Sequence, residues 1–446
     1  MSSKPASLQT LDALRQGGLH GCSHLDLRGC GLQELPAEIQ RLAASLEVLD
    51  VSSNALKHLP DWLAELPRLR IVFASNNRFT ELPEVLGRCP ELEMVGFKSN
   101  RIERVSGAAL PARLRWLILT DNRIEVLPAE IGRCSRLQKL ALAGNCLRAL
   151  PAELQHCQAL ELIRVSANEL QALPELLLQL PRLSWLAFGG NPFNREQERE
   201  ALAHTHLPTL PWPQLRLEAQ LGEGASGVIH RALQIESGEP VAVKVFKGEV
   251  TSDGLPRSEM AAALQAGAHP HLIPLRAKLS AHPSDAQGLV LDLISTAFQS
   301  LAGPPSLASC SRDVYAEDTR FSLSALLRIA RGMASALAQL QARGLSHGDF
   351  YAHNILHDGQ GQAYLGDFGA ASFLPAEASA AQREAVARIE VRAFGCLLEE
   401  LLARCEEASL QSLRALLTLR DACLAEDAAQ RPSWPSIIRS LESQAF

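Results

Sequence analysis

Leu137-Gln138-Lys139-Leu140-Ala141-Leu142-Ala143-Gly144-Asn145 places leucines at its first, fourth and sixth positions and an asparagine at its ninth. The same figure, apolar residues in the order L-x-x-L-x-L-x-x-N, recurs through the first half of the 446-residue chain. Its asparagines are Asn54, Asn77, Asn100, Asn122, Asn145, Asn168 and Asn191, with Cys30 in the slot one repeat earlier. The intervals run 24, 23, 23, 22, 23, 23 and 23 residues, and a Leu-Pro step such as Leu127-Pro128 or Leu150-Pro151 follows most of them. A period of roughly 20–50 residues marks a supersecondary unit that buries its apolar face only by stacking on copies of itself. The alternating apolar residues form a short strand, and the Asn amide, both donor and acceptor, satisfies turn backbone that burial would otherwise orphan.

The pattern resembles the leucine-rich repeat family, with eight repeats over residues 21–195, which implies an α/β leucine-rich-repeat solenoid. Leu8, Leu11 and Leu14 stand at helical spacing, so residues 1–20 are expected to cap its open end. Cys89, Cys134 and Cys157 occupy a position held elsewhere by Leu66, Ala112 and Leu180, and read as buried hydrophobes rather than disulfide partners or zinc ligands. The strand positions between the inward leucines face the concave side. One such column is His24, Val48, Ile71, Met94, Trp116, Lys139, Leu162 and Trp185, with Phe73 and Ile118 beside it. An exposed apolar row is not needed for folding and marks a contact. Val48, Ile71, Phe73, Met94, Trp116, Ile118, Leu162 and Trp185 are therefore expected to bind a protein partner or substrate, or to be covered by the linker or by the chain's own second half. Small residues such as Ala141, Ala143, Ala187 and Gly189 argue against a groove for carbohydrate or nucleic acid.

Composition bounds the rest. At ~150 residues per domain the length predicts two or three domains. Hydrophobic content of 47% with 21% charged residues describes a soluble globular chain. A formal net charge of -6 leaves no footprint for nucleic acid or an anionic membrane. Nowhere do eighteen apolar residues run together, so no membrane span is expected, and Met1 to Gly18 lacks an apolar signal core. The ten cysteines then read as thiols in a reducing, cytoplasmic setting. Residues 196–213 read as a linker: a charged helical stretch, then the proline-spaced Leu207-Pro208-Thr209-Leu210-Pro211-Trp212-Pro213.

The second half carries His347-Gly348-Asp349-Phe350-Tyr351-Ala352-His353-Asn354 and, shortly after, Asp367-Phe368-Gly369. An acid, an amide five residues on and a second acid before glycine can hold a nucleoside triphosphate, its metal and an acceptor hydroxyl. Upstream, Leu221-Gly222-Glu223-Gly224-Ala225-Ser226-Gly227-Val228-Ile229 lies between apparent strands and precedes Val241-Ala242-Val243-Lys244. Glycines in such a turn let backbone N–H groups approach a triphosphate. GxGxxG alone would equally suit a dinucleotide fold, but here a strand follows and Lys244 lies seventeen residues after Gly227, which excludes that reading.

In this order the motifs resemble the protein kinase family, over about residues 214–446, and their fusion to repeats resembles bacterial leucine-rich-repeat protein kinases. The resemblance implies an α+β two-lobed protein kinase fold that uses ATP with Mg²⁺ or Mn²⁺. It assigns the nucleotide to the turn Leu221 to Ile229, Ala242, Lys244 and the hinge residues Asp292 and Ile294, with Glu259 fixing Lys244 and Leu291 limiting depth. Asp349 would take the acceptor proton, and Asn354 and Asp367 would hold metal. The Pro/Ser-rich insert Gly303 to Thr319 reads as a surface loop. Arg431-Pro432-Ser433 and the stretch from Glu390 to Gly395 resemble later elements of the family.

Several positions depart from the pattern. Gly348 stands where the family carries arginine, and Tyr351 where serine/threonine kinases carry lysine. His353 stands where many tyrosine kinases carry arginine and, when protonated, is expected to supply the missing charge. Only 23 residues separate Asp367 from Glu390, so the platform for a peptide acceptor is shortened, and Arg431 lacks its usual glutamate unless Glu377 or Glu384 serves. The expected function is an ATP-dependent protein kinase acting on serine or threonine, whose repeats bind partner or substrate proteins or act on the kinase in cis. The alternatives are an ATP-binding pseudokinase or scaffold and a small-molecule phosphotransferase, whose family also writes His-Gly-Asp before a loop ending in Asn.

Overall fold

A computed structural model describes residues 6–204, 207–224, 226–247, 250–406 and 410–444. The chain divides into two compact units, Met1–Ile163 with Asn168–Leu180, and Arg164–Ala167 with Pro181–Phe446.

In the first unit, helix α1 (Ala6–Arg15) buries Leu11 and Leu14 at the start of the array. Three-residue strands follow, one per repeat: β1 (His24–Asp26), β2 (Val48–Asp50), β3 (Ile71–Phe73), β4 (Met94–Gly96), β5 (Trp116–Ile118), β6 (Lys139–Ala141) and β7 (Leu162–Arg164). The unit boundary runs through β7. The strands pair in parallel, and the register aligns His24, Val48, Ile71, Met94, Trp116 and Lys139, the column read from the sequence. After most strands a Leu-Pro step opens a 3₁₀ turn, as at Ala129–Arg133 and Ala152–His156, and helix α2 (Glu175–Leu178) takes that place late in the unit. The proline fits because its fixed φ and missing N–H cost nothing at a helix start.

The asparagines form a bonded ladder. Asn145 Nδ2 donates to the carbonyls of Leu119 (2.9 Å) and Leu142 (3.0 Å), and its Oδ1 accepts from the Ile124 N–H (3.0 Å). Asn77 and Asn122 repeat this arrangement one or more turns earlier. Asn145→Ala breaks three bonds at a buried position and is expected to lower unfolding free energy by about 3 kcal/mol in a urea titration. A loss of less than about 1 kcal/mol would show that water replaces the amide there. Cys89, Cys134 and Cys157 are buried free thiols, pushed by burial up to about 11, 11 and 12, and serve as packing.

The concave column is not the exposed stripe expected. Ile71, Met94 and Leu162 are buried, Met94 to 2% exposure, while Val48, Phe73, Trp116 and Ile118 are half-buried. Adjacent strands lie only about 4.8 Å apart, so large side chains on neighbouring repeats cover one another. The Phe73 ring lies over Gly96, where an added Cβ would stand 2.5 Å from it, and Lys139 Nζ sits 4.6 Å from the Trp116 ring centre.

The second unit takes in Arg164–Ala167 of the seventh repeat and the last repeat. Val165 and Ala167 donate to the carbonyls of Ala187 and Gly189, both at 2.8 Å, alongside β8 (Trp185–Ala187). The described residues of the stretch read above as a linker, 196–204 and 207–213, are built into this unit. Helix α3 (Arg195–Ala203) packs on helix α4 (Pro256–Ala266), and β9 (Thr209–Pro211) pairs in parallel with β13 (Leu275–Ser280). The remaining strands of that six-stranded sheet are β10 (Leu215–Glu223), β11 (Gly227–Gln234), β12 (Pro240–Phe246) and β14 (Gly288–Asp292), in the order β10-β11-β12-β14-β13-β9. Leu210, Leu215, Val241, Val243, Leu279 and Val290 form its core.

A helical lobe follows: α5 (Leu323–Ala342), α6 (Ala380–Leu402), α7 (Leu410–Cys423) and α8 (Trp434–Glu442). Leu326, Ile329, Met333, Leu337 and Leu340 recur at helical spacing and form the buried stripe of α5. A capping box of Ser379 and Gln382 starts α6. The insert Gly303 to Thr319 is a surface loop only in part: residues 306–308 and 316–318 are exposed, but its middle is anchored. Cys310, Ser311, Asp313 and Tyr315 are buried, and Arg312 and the Tyr315 hydroxyl both reach Glu400 of α6. Among the described residues no helix is long and apolar enough to cross a membrane.

Candidate active site

The strand pairing sets Lys244 of β12 between Ile229 and Leu289, facing α4. Its Nζ forms an ion pair with Glu259 and lies 3.7 Å from Asp367. Burial alone would lower the Lys244 ammonium, but Glu259 and Asp367 outweigh it and raise it above its ordinary value. A cavity of about 280 Å³ opens beside this pair, lined by Ile229, Ile273, Leu289, Leu291 and Phe368.

The turn between β10 and β11 acts through backbone. A Cβ added to Gly222 or Gly224 would meet nothing within 4 Å, which leaves room for a phosphate chain, and Gly224 N–H closes the turn on Gly227 O at 2.9 Å. Glu223 spends its carboxylate on Lys247, and Leu221 is 50% exposed. Ser226 is buried, Val228 pairs with Val245, and Ala225 lies outside the described residues. Ala242 is buried opposite Leu291. Asp292 pairs with Arg276 and gives its N–H to Pro274 O at 2.9 Å, which turns its carboxylate from the cavity. Ile294 is half-buried in the loop that follows.

The loop from His347 to Asn354 hangs from α6. Glu390 accepts from the N–H groups of His347 (2.5 Å) and Gly348 (3.1 Å), and burial pushes its carboxyl up to about 7. The buried His347 is held below its ordinary value by desolvation, against the pull of nearby Asp349. Its Nε2 bonds Gly366 O (3.0 Å) and its Nδ1 accepts from the Asp349 N–H (3.3 Å), an arrangement that suits the neutral ring. Asn354 Nδ2 donates to Asp349 O (2.9 Å) and Oδ2 (2.8 Å). That fixes its amide nitrogen on Asp349 and leaves its oxygen, with the Asp367 carboxylate, as the hard donors for a divalent metal. Two such ligands fit magnesium, which keeps waters and substrate phosphates in its shell. Among the described residues no group of three or more His, Cys, Asp or Glu could hold a metal alone.

Three residues enter the site that sequence reasoning missed. Asp313 of the insert pairs with His353 Nδ1 at 2.7 Å and accepts its N–H at 3.0 Å. Burial would lower His353, but Asp313, with Asp349 and Asp367 behind it, outweighs that and raises it. Arg164, 4% exposed, forms an ion pair with Asp349 Oδ1, donates to Gly348 O (2.6 Å) and bonds Asp253 Oδ1 (3.0 Å). Burial would raise the Asp349 carboxyl, yet Arg164, followed by His353 and His347, holds it below its ordinary value. The available signal was compositional. Arg164 is the basic residue in a strand column that also holds Asp26, Asp50, Phe73, Gly96, Ile118, Ala141 and Ala187.

Trp185, expected on a partner-binding face, is 2% exposed within the second unit. Its ring stacks on Tyr351 at 4.2 Å and 7°, and its Nε1 donates to Phe350 O at 2.9 Å. Arg431 takes neither Glu377 nor Glu384. Its N–H groups go to the carbonyls of Ala425 (2.9 Å), Arg388 (3.1 Å) and Pro181 (2.5 Å), while Glu384 pairs with Arg388.

Residues 215–389 match the model of the protein kinase domain, and residues 21–79 and 112–170 match that of the leucine rich repeat. The chain joins leucine-rich repeats to a protein kinase domain. The chain is 29% identical over 205 residues to a putative cyclin-dependent kinase F-2 of Oryza sativa subsp. japonica (41% of this chain, 60% of the relative). A probable leucine-rich repeat receptor-like protein kinase of Arabidopsis thaliana is 30% identical over 203 residues (42% and 29%). Serine/threonine-protein kinase PITSLRE of Drosophila melanogaster is 26% identical over 154 residues (34% and 15%). The chain thus spans 60% or less of the length of each of these curated relatives. They are plant and fly proteins, so the bacterial kinship expected from the sequence finds no support in them. A kinase domain uses ATP and a divalent metal in general.

Proposed function

We propose that the chain is an ATP-dependent protein kinase that phosphorylates serine or threonine, with Mg²⁺ as the more fitting metal and Mn²⁺ as its substitute. The observation that carries this is the meeting of Lys244, Glu259 and Asp367 at one end of the cavity, with Asn354 orienting Asp349 in the adjoining loop. Magnesium, when bound, would neutralise charge on the phosphates between Asn354 and Asp367. Lys244, fixed by Glu259, contacts the α- and β-phosphates, and the turn from Gly222 to Val228 covers them with backbone N–H groups. Leu291 bounds the adenine pocket, and Asp292 and Ile294 offer it backbone alone. Asp349 accepts the hydroxyl proton of the acceptor at its carboxylate. His353, raised above its ordinary value by Asp313, adds positive charge beside it when protonated.

The acceptor type rests on likeness to kinases such as the fly relative. The half-buried Val48, Phe73, Trp116 and Ile118 are the part of the concave column suited to an external protein, since repeats of this kind generally mediate protein contacts. Cysteines used as core packing support a cytoplasmic setting. The test is transfer of labelled γ-phosphate from ATP with Mg²⁺ to the chain itself or to a generic protein acceptor. Lys244→Met is expected to lower transfer at least about a hundredfold, because it removes both the phosphate contact and the partner of Glu259. Nucleotide binding without any transfer in the wild-type chain would make it an ATP-binding scaffold instead.

A further inference from the structure

The arginine on Asp349 does not come from the loop that carries the acid. It comes from Arg164–Ala167, a part of the repeat array that belongs to the second unit. Its guanidinium reaches two elements at once: Asp349 and Gly348 O in the loop, and Asp253, three residues before α4. Helix α4 is the element that carries Glu259 to Lys244. The turn holding Asp253 is itself tied down, since Thr251 Oγ1 donates to Gly254 O (2.9 Å) and accepts from Asp253 N–H (3.2 Å).

More of the last repeat follows the same two elements. On the α4 side, Glu198 of α3 accepts from Gly190 N–H (2.7 Å) and from Ser258 Oγ (2.9 Å), next to Glu259. Gly190, at φ +74°, passes so close that an added Cβ would stand 2.9 Å from Leu255 Cδ1. On the other side, Trp185 bonds Phe350 O, Phe188 N–H donates to Ser372 Oγ (2.9 Å), and Gln197 donates to Leu374 O (2.9 Å).

Resting on the kinase reading above, we propose that Arg164 is a positioning residue: its guanidinium ties the Asp349 loop to the start of the helix that carries Glu259, so the end of the repeat array assembles the phosphotransfer site. One cation lies between two half-buried carboxylates, and without it neither keeps this ion pair, so both elements should loosen together. The alternative, a brake that occupies Asp349, is less consistent with the formed Lys244–Glu259 pair in the same structure. A blocking contact gains nothing from completing the nucleotide side.

The experiment uses the full chain with Arg164→Gln, Arg164→Lys and Asp253→Asn. Amide hydrogen exchange is read over residues 256–266 and 347–354, alongside kcat and the KM for ATP. Arg164→Gln is expected to raise exchange in both segments and to lower kcat at least about tenfold, with a smaller change in KM. Arg164→Lys restores part of kcat. Asp253→Asn, which cuts only the α4 arm, raises exchange in 256–266 while 347–354 stays protected, an asymmetry that general unfolding does not give. Unchanged exchange in 256–266, or a kcat equal to or above wild type in Arg164→Gln, overturns the proposal, and a higher kcat makes the contact a brake. If the wild-type chain binds ATP but transfers no phosphate, the kinase reading fails by itself. Paired loosening of the two segments would then still establish the tie, and its absence would remove it.

Discussion

Asp349→Asn lowers the rate of phosphoryl transfer by about a thousandfold while ATP affinity stays within a few fold, the magnitude of a lost general base. The substitution keeps the shape of the side chain and an oxygen that can still accept from Asn354 Nδ2. It removes the proton acceptor, and it removes the negative charge that Arg164 faces. If the new amide turns its NH₂ toward the guanidinium, donor meets donor, so the loop loses orientation as well as basicity. ATP affinity is spared because Lys244, Glu259 and the turn at Gly222 to Gly227 lie on other elements. Transfer of γ-phosphate and nucleotide binding, measured on the same preparation, separate the two effects. A fall of less than about tenfold would show that another group, with His353 the nearest candidate, takes the proton.

Gly348→Ala costs about 3 kcal/mol of stability or more, the sum of a left-handed residue gaining a side chain and a packed region gaining a carbon. Gly348 has φ +71°, and an added Cβ would stand 2.6 Å from Ala370 O and 2.7 Å from Leu186 O. Both are backbone oxygens, so neither can turn aside as a side-chain tip could. Arginine, the residue usual here in the family, would meet the same two oxygens with a longer chain behind it. Its absence is therefore a requirement of this fold rather than a simple loss, because Leu186 of the last repeat lies where that side chain would start. Chemical denaturation of Gly348→Ala checks this, and wild-type stability would show that the loop can shift away.

The ladder of asparagines was legible because nine residues encode both the strand and the turn that the amide closes, and the aligned column appeared in the register. The meeting of Lys244 with Glu259 and Asp367 was legible for a related reason: Lys244 and Asp367 sit in local motifs, and only Glu259 had to be found at a distance. Exposure of the concave column was misjudged at Ile71, Met94, Leu162 and Trp185. Strand alternation tells which face a residue takes but not what lies over it. Composition misled at the insert, where proline and serine suggested solvent while Cys310, Ser311, Asp313 and Tyr315 are buried. Arg164 was out of reach because 185 residues separate it from Asp349, and no periodicity states which repeat will end against which loop.

The match to the kinase domain begins at residue 215, whereas the compact unit that contains it takes in Arg164–Ala167 and resumes at Pro181. For an evolving gene this sets unequal freedoms along the array. A repeat that bonds only to its neighbours can be duplicated or deleted at the cost of one more or one fewer identical junction. The last two repeats have no such licence, since a copy inserted between them would carry Arg164 apart from Trp185 and Glu198. Repeat number is thus expected to drift between related chains upstream, while these two repeats and the kinase domain are inherited as one piece.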